Sequence, residues 1–206
     1  LNETGYKVHF RNFDCGDVKN LDTSFFNLRD EFGSPNIFIN CSYPRTKDWV
    51  KNSFLEVTIE SFRKNVDIHM NSYGWLARLA AESMKQNKNG GSIIQLGSIY
   101  GILGQDLTVY DGTEMGENMT YAAIKGGITN LTRQMASYYG QFNIRINNLV
   151  PGGLSGPVAG KSTPQNPLFV KQYSNKTPLK RMGHPEEIAS TALFLASDGA
   201  SYITGT

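Results

Sequence analysis

The chain has 206 residues, 39% of them hydrophobic, with 20 basic and 18 acidic side chains and a formal charge of +2. That length suits a single domain with a substantial core, and the near-balanced charge without a basic run is no nucleic-acid footprint. No apolar stretch approaches the roughly 20 residues that span a bilayer. Residues 1–5 are polar and carry no secretory-leader pattern, and Cys15 and Cys41 have no metal-ligand spacing. The expectation is a cytoplasmic protein with two reduced, mostly buried thiols and no nucleic-acid, membrane or metal partner.

The elements alternate along the chain. Residues 6–13 mix apolar and polar side chains as a strand does. Asp17 stands where it can cap a helix running through Leu21, Phe25, Leu28 and Phe32, which Gly33 closes. Ile37, Phe38 and Ile39 form a short apolar run of the kind buried in a parallel sheet. A polar loop over 42–52 leads to a long helical region over 58–84. Residues 92–96 read as the next buried strand, 99–120 as loop, 121–139 as helix and 144–150 as strand. A Gly/Pro-rich loop over 151–178 precedes a last helix over 185–196. Strands alternating with helices predict βαβ units in an α/β, doubly wound parallel sheet. Neither a repeat nor a linker divides residues 1–206.

Tyr121-Ala-Ala-Ile-Lys125 places a phenol and an ammonium one helical turn apart and on one face. A free tyrosine has a pKa of about 10, and a nearby cation lowers it toward the range where a phenol exchanges protons. The spacing alone is equally that of a solvated helix face. Ser98 follows the strand at 92–96, and the carboxyl ends of strands in an open α/β sheet line the ligand crevice. It could face a substrate or simply cap the next turn. Asn40 ends the preceding strand and could bond backbone across the crevice mouth. Val150-Pro151-Gly152-Gly153 lets backbone approach a flat ligand closely, though Pro-Gly is also an ordinary turn.

Taken in order, these motifs resemble the short-chain dehydrogenase/reductase family over nearly the whole chain. Asp14-Cys15 is similar to the family's adenine-contacting pair, and Asn40-Cys41-Ser42 stands in its Asn-Asn-Ala-Gly turn. Gly97-Ser98 resembles the catalytic serine, Tyr121 and Lys125 the catalytic pair, and Pro151-Gly152 with Leu154 the nicotinamide loop. Pro178-Leu179-Lys180-Arg181-Met182-Gly183-His184-Pro185-Glu186-Glu187 resembles the C-terminal signature. The resemblance implies a Rossmann-like domain, NAD or NADP as cofactor, and reversible alcohol/carbonyl interconversion. In it Tyr121 exchanges the proton, Ser98 holds the same oxygen, and Lys125 lowers the tyrosine pKa and binds the nicotinamide ribose. It further implies a small-molecule substrate and a homodimer or homotetramer. Helices at 59–86 and 121–139 would carry that assembly, with Tyr73, Trp75, Leu79, Tyr138 and Tyr139 as interface or core residues. Tyr43-Pro44-Arg45, His69-Met70 and the loop at 110–115 are similar to a bacterial subgroup linked to flagellin modification and surface-polysaccharide sugars. The substrate would then be a sugar or sugar derivative, with Arg45, Tyr100 and Tyr110 as candidate contacts. A non-catalytic scaffold on the same fold is the competing expectation.

Four departures qualify the resemblance. The Gly-rich pyrophosphate turn and the acidic or basic residue that selects NAD or NADP are absent. Strands 1, 2 and 7 of the family sheet are missing, which predicts a domain incomplete at both ends and part of a longer polypeptide. His69 stands where the family carries a catalytic asparagine; its backbone could keep the role, its imidazole could join the proton relay, or it could simply pack in a helix interface. The 23-residue interval from Ser98 to Tyr121 is longer than the family's usual one and puts a polar insertion, with Gln105, Asp106, Tyr110, Asp111 and Glu114, beside the site. Gly156 replaces the threonine that commonly follows Pro-Gly.

Overall fold

The computed structural model describes residues 5–157 and 162–206. Part of the expected loop at 151–178, residues 158–161, lies outside them, as do residues 1–4. Helix α1 (Leu21–Phe32) leads to strand β1 (Ile37–Asn40), followed by α2 (Ile59–Asn65), a π-helical turn (Val66–Asn71) and α3 (Ser72–Met84). Strand β2 (Gly91–Leu96), α4 (Met119–Tyr139) and β3 (Ile144–Leu149) come next, then α5 (Pro167–Lys176) and α6 (Pro185–Ala196). The three strands form a parallel sheet in the order β1-β2-β3, with Asn40 level with Gln95 and Leu96 level with Leu149.

β2 is central, and its two faces are covered by different helices. Ile93 packs in a core with Leu21 and Phe25 of α1, Leu76 and Ala80 of α3, Met135 of α4 and Ile146 of β3. Ile94, pointing the other way, packs against Leu195 of α6 and Ala200. A strand covered on both faces reads as a continuous apolar run because neither side of its pleat meets water. This is the doubly wound arrangement that the alternating pattern predicts.

Several expectations are corrected. Residues 6–13 form no strand, and Tyr6 and Phe10 are exposed. Alternation makes a strand only where a partner edge supplies the ladder, and β1 pairs with β2 alone. The sheet therefore lacks strands on the outer side of β1, where Ile37 and Ile39 stand exposed. At the other edge the chain begins to cover β3: Gly205 N–H donates to the Ile146 carbonyl at 2.8 Å, and Asn148 N–H to that of Thr206 at 3.0 Å. Asp17 caps no helix; its carboxylate accepts from the Asn20 amide at 2.7 Å, and α1 starts after a 3-10 turn at Val18–Asn20. Gly33 does close that helix, at φ 84°. The loop at 151–178 conceals α5, whose Asn166 side chain caps the Leu168 and Phe169 N–H groups ahead of Pro167. Cys15 is half-buried and Cys41 exposed, not mostly buried as a pair. Of the proposed interface residues, Tyr73, Leu79 and Tyr139 are core, whereas Trp75 and Tyr138 are exposed.

Candidate active site

The carboxyl ends of β1, β2 and β3 bring Asn40, Ser98 and Pro151 to one rim of the sheet. Ser98 serves in both of the ways its sequence position allows. Its Oγ accepts from the Tyr100 N–H at 3.2 Å, capping the 3-10 turn Ile99–Gly101, and it also hydrogen-bonds the Tyr121 phenol. Helix α4 delivers Tyr121 because Asn118 caps it, its Oδ1 accepting from the Tyr121 N–H at 2.8 Å. The Asn118 amide in turn donates to the Trp49 carbonyl at 3.0 Å, tying the helix start to the loop after β1. The turn after Ser98 can lie against α4 because residue 101 is glycine: a Cβ there would sit 2.6 Å from the Lys125 carbonyl oxygen.

Lys125 lies one turn below Tyr121, 2% exposed, with Nζ donating to the Leu96 carbonyl at 2.7 Å. Its ammonium faces the rings of Tyr73, Tyr121 and Tyr43 at 5.0, 5.7 and 6.0 Å. Burial pushes its pKa down to about 8, the Cys41 thiol opposing. The expectation that Lys125 lowers the Tyr121 pKa is corrected in this arrangement. Burial raises the phenol and Tyr173 adds to the rise, while the Ser98 hydrogen bond pulls the other way. The lysine meets the ring from its face and directs a hydrogen bond elsewhere, so its charge does not single out the phenolate. A protonated Tyr121 is set to donate to a carbonyl oxygen.

His69 sits in the π-helical turn, fully buried, with Tyr43 and Tyr73 at 5.2 and 5.3 Å. Desolvation pushes its pKa down to about 3, with Lys125 reinforcing the fall. The imidazole is therefore neutral at physiological pH and does not titrate near neutrality.

Around this centre lie two cavities that share Tyr100, Tyr110 and Tyr121 as walls. The smaller, about 180 Å³, is lined by Ser98, Gly152, Leu154, Tyr173 and Met182 among others. The larger, about 730 Å³, opens between the loop after β1, with Tyr43, Arg45 and Trp49, and the loop before α4, with Gln105, Glu114 and Glu117. Tyr100 bonds Tyr110 and Tyr173, and burial raises its phenol. Tyr110 stacks on Phe169 at 5.7 Å, and the Gln172 amide donates to the Val109 and Asp111 carbonyls at 2.9 and 3.1 Å. Helix α5 thus holds the insertion as a built wall. Arg45 lies 5.2 Å over the Tyr43 ring.

The cofactor candidates fall in two places. Asn40 Oδ1 accepts from the backbone and hydroxyl of Ser42 at 3.1 and 2.7 Å, closing its own turn instead of spanning the crevice, and its Nδ2 is buried without a partner among the described residues. Asn40, Cys41, Ser42 and Cys15 line a third cavity, about 690 Å³, on the open side of β1. Asp14 folds back, its Oδ1 accepting from the Gly16 N–H at 2.8 Å. On the other side of the rim the Pro151 carbonyl accepts from Ile99 N–H at 3.1 Å, Gly153 N–H donates to the Tyr173 hydroxyl at 2.8 Å, and Leu154 bridges to Gly183. The sequence reading did not single out Tyr43, Trp49, Asn118 or Tyr173 as site residues. The Asn118-Met119-Thr120 start carried a cap signal; nothing local distinguished the three aromatics.

The family described as Enoyl-(Acyl carrier protein) reductase matches residues 2–206. The chain is 28% identical over 192 residues to post-translational flagellin modification protein A of Campylobacter coli, covering 93% of this chain and 72% of that one. It is 31% identical over 181 residues to L-rhamnose-1-dehydrogenase of Scheffersomyces stipitis, covering 85% of this chain and 62% of the relative. A crystal structure of a short-chain dehydrogenase from Leptospira borgpetersenii with bound NAD+ superposes with a TM-score of 0.79 at 28% identity, covering 97% of this chain and 75% of that one. The chain belongs to the short-chain dehydrogenase/reductase family, whose members are NAD(P)-dependent oxidoreductases.

Proposed function

We propose that the protein is a cytoplasmic NAD(P)-dependent oxidoreductase that interconverts an alcohol and a carbonyl on a sugar or sugar derivative, in the service of flagellin or surface-glycan modification. The observation that carries this reading is the Tyr121 phenol, hydrogen-bonded to Ser98 above buried Lys125, where two cavities meet. When bound, the nicotinamide supplies or removes the hydride. The residues at hand fit such a group: the buried, unpartnered Asn40 amide is a free donor, Lys125 keeps two N–H groups beyond its Leu96 bond, and Pro151, Gly152 and Leu154 offer a small-residue rim. Asn40, Cys41, Ser42, Lys125 and the 151–154 segment would hold it.

Tyr121, protonated, donates to the carbonyl oxygen during reduction, and Ser98 keeps that oxygen within reach. The larger cavity offers the aromatic faces of Tyr43 and Trp49 to the C–H surface of a sugar ring, with Arg45, Gln105, Glu114 and Glu117 for its hydroxyls. Similarity to L-rhamnose-1-dehydrogenase and to a flagellin modification protein supports the sugar assignment. Assembly as a homodimer or homotetramer belongs to the same proposal.

The test is titration of the full-length protein with NADH and NADPH, then turnover of sugars by wild type and Tyr121→Phe. Wild type should turn over at least one sugar, and the variant should lose about 10²- to 10⁴-fold in kcat with cofactor affinity retained. Equal turnover by both would remove Tyr121 from the chemistry.

A further inference from the structure

The family position held by His69 has two ways to act, through its backbone carbonyl or through its side chain, and the geometry separates them. The His69 carbonyl is already engaged: it accepts the N–H of Ser72 and, at 2.9 Å, the hydroxyl of the same residue. Its imidazole is the reverse case. The ring is 0% exposed, and neither Nδ1 nor Nε2 has a hydrogen-bond partner among the described residues. A neutral imidazole carries one donor and one acceptor, and leaving both unmet in the interior is costly.

The nearest charge is Lys125. The two side chains share the rings of Tyr43 and Tyr73 as neighbours, His69 at 5.2 and 5.3 Å and Lys125 at 6.0 and 5.0 Å. One of the three ammonium donors goes to Leu96, which leaves two.

We propose that the imidazole of His69 positions Lys125, its unprotonated nitrogen accepting a hydrogen bond from the ammonium directly or through one buried water. Only the neutral ring can accept, and burial keeps it neutral with a pKa of about 3. The titratable groups facing the pair are Tyr43 from the loop after β1, Tyr73 from α3, Tyr121 from α4 and, opposite Lys125, Cys41. An acceptor aimed at the charged amine favours the ammonium, so His69 offsets part of the burial that depresses Lys125. The catalytic consequence rests on the proposed function; the titration of Lys125 does not.

The experiment is a pH titration from 6 to 11 of protein carrying ¹³C at lysine Cε, read by NMR, with Lys125→Met assigning the resonance. His69→Phe keeps an aromatic ring and removes the nitrogens, and it should lower the Lys125 pKa by about half to one unit. His69→Gln restores an acceptor and should return the pKa most of the way toward wild type. The limb of the kcat/KM profile governed by Lys125 should move in parallel. A His69→Phe titration that overlays wild type overturns the proposal, and so does His69→Gln behaving as His69→Phe. Should His69→Phe fail to fold, ¹⁵N spectra of His69 in wild type and Lys125→Met decide: a shift of the accepting nitrogen is expected, and identical spectra overturn it. Absence of sugar turnover in wild type would count against the proposed function and leave the lysine titration to be read on its own.

Discussion

The Lys125 ammonium donates to the Leu96 carbonyl at 2.7 Å, so the last residue of β2 anchors the charge that lies beneath Tyr121. That bond and the surrounding rings do not replace water fully, and the folded pKa falls to about 8. Between about pH 8 and the unfolded value of about 10.4, the folded state binds fewer protons at this site than the unfolded chain, so stability rises with pH in that window. The gain should reach about 2 kcal/mol by pH 9.5. The buried phenols Tyr43, Tyr73 and Tyr100 have raised values and reverse the trend once unfolded tyrosine ionises above about pH 10. Denaturant melts across pH 7–10.5 should show the rise in wild type and none below pH 10 in Lys125→Met.

His69 gives the opposite limb. Its folded pKa of about 3 lies below the unfolded value of about 6.5, so the unfolded chain takes up the proton first as pH falls. Stability is then lost progressively below about pH 6.5, by about 2 kcal/mol at pH 5. In His69→Gln this site has no proton to take up. The variant should flatten that part of the acid limb in melts at pH 5, 6 and 7; identical acid limbs would show that the loss lies elsewhere.

The sheet and most helices were legible because burial on both faces leaves a local signature. Ile93-Ile94 and Ile144 to Ile146 could be read as strands from composition alone, and Gly33 as a helix end. Residues 6–13 misled because an alternating pattern says nothing of whether an edge is available to pair with. Helix α5 was hidden by its Pro/Gly-rich surroundings, although Asn166-Pro167 is a proper cap and first turn. Ser98, Tyr121 and Lys125 were found by order and spacing. Tyr43, Trp49 and Tyr173 were not, because an aromatic in a polar loop acquires a role only when the tertiary fold sets it against Tyr121 or Gly153. The electrostatics were less legible still: spacing put Lys125 beside Tyr121 but could not show that it would meet the ring face.

Gly101→Ala tests the close approach of the Ser98 turn to α4. A methyl group 2.6 Å from the Lys125 carbonyl meets backbone on both sides, so relief requires moving the turn. The expected cost is about 1–3 kcal/mol of stability, the range for overpacking. Because Ser98 begins that turn, turnover should fall more than cofactor affinity does. A variant with wild-type melting and kinetics would mean that the turn yields freely.

Asn118→Ala removes the cap of α4 and its tie to Trp49 together. Loss of an N-cap costs about 0.5–2 kcal/mol, and here the freed N–H belongs to Tyr121 itself. The first turn of α4 should fray, letting the phenol drift from Ser98 while Lys125, a turn further in, stays on Leu96. Asn118→Asp keeps an oxygen acceptor for the helix and replaces the amide donor with a carboxylate. It should restore the melting temperature most of the way, while the bond to the Trp49 carbonyl stays broken. If the Trp49 tie also matters for the larger cavity, Asn118→Asp will keep a raised KM for the sugar with kcat near wild type. Thermal melts and steady-state kinetics on the three proteins separate these effects; equal KM values in wild type and Asn118→Asp would confine Asn118 to capping.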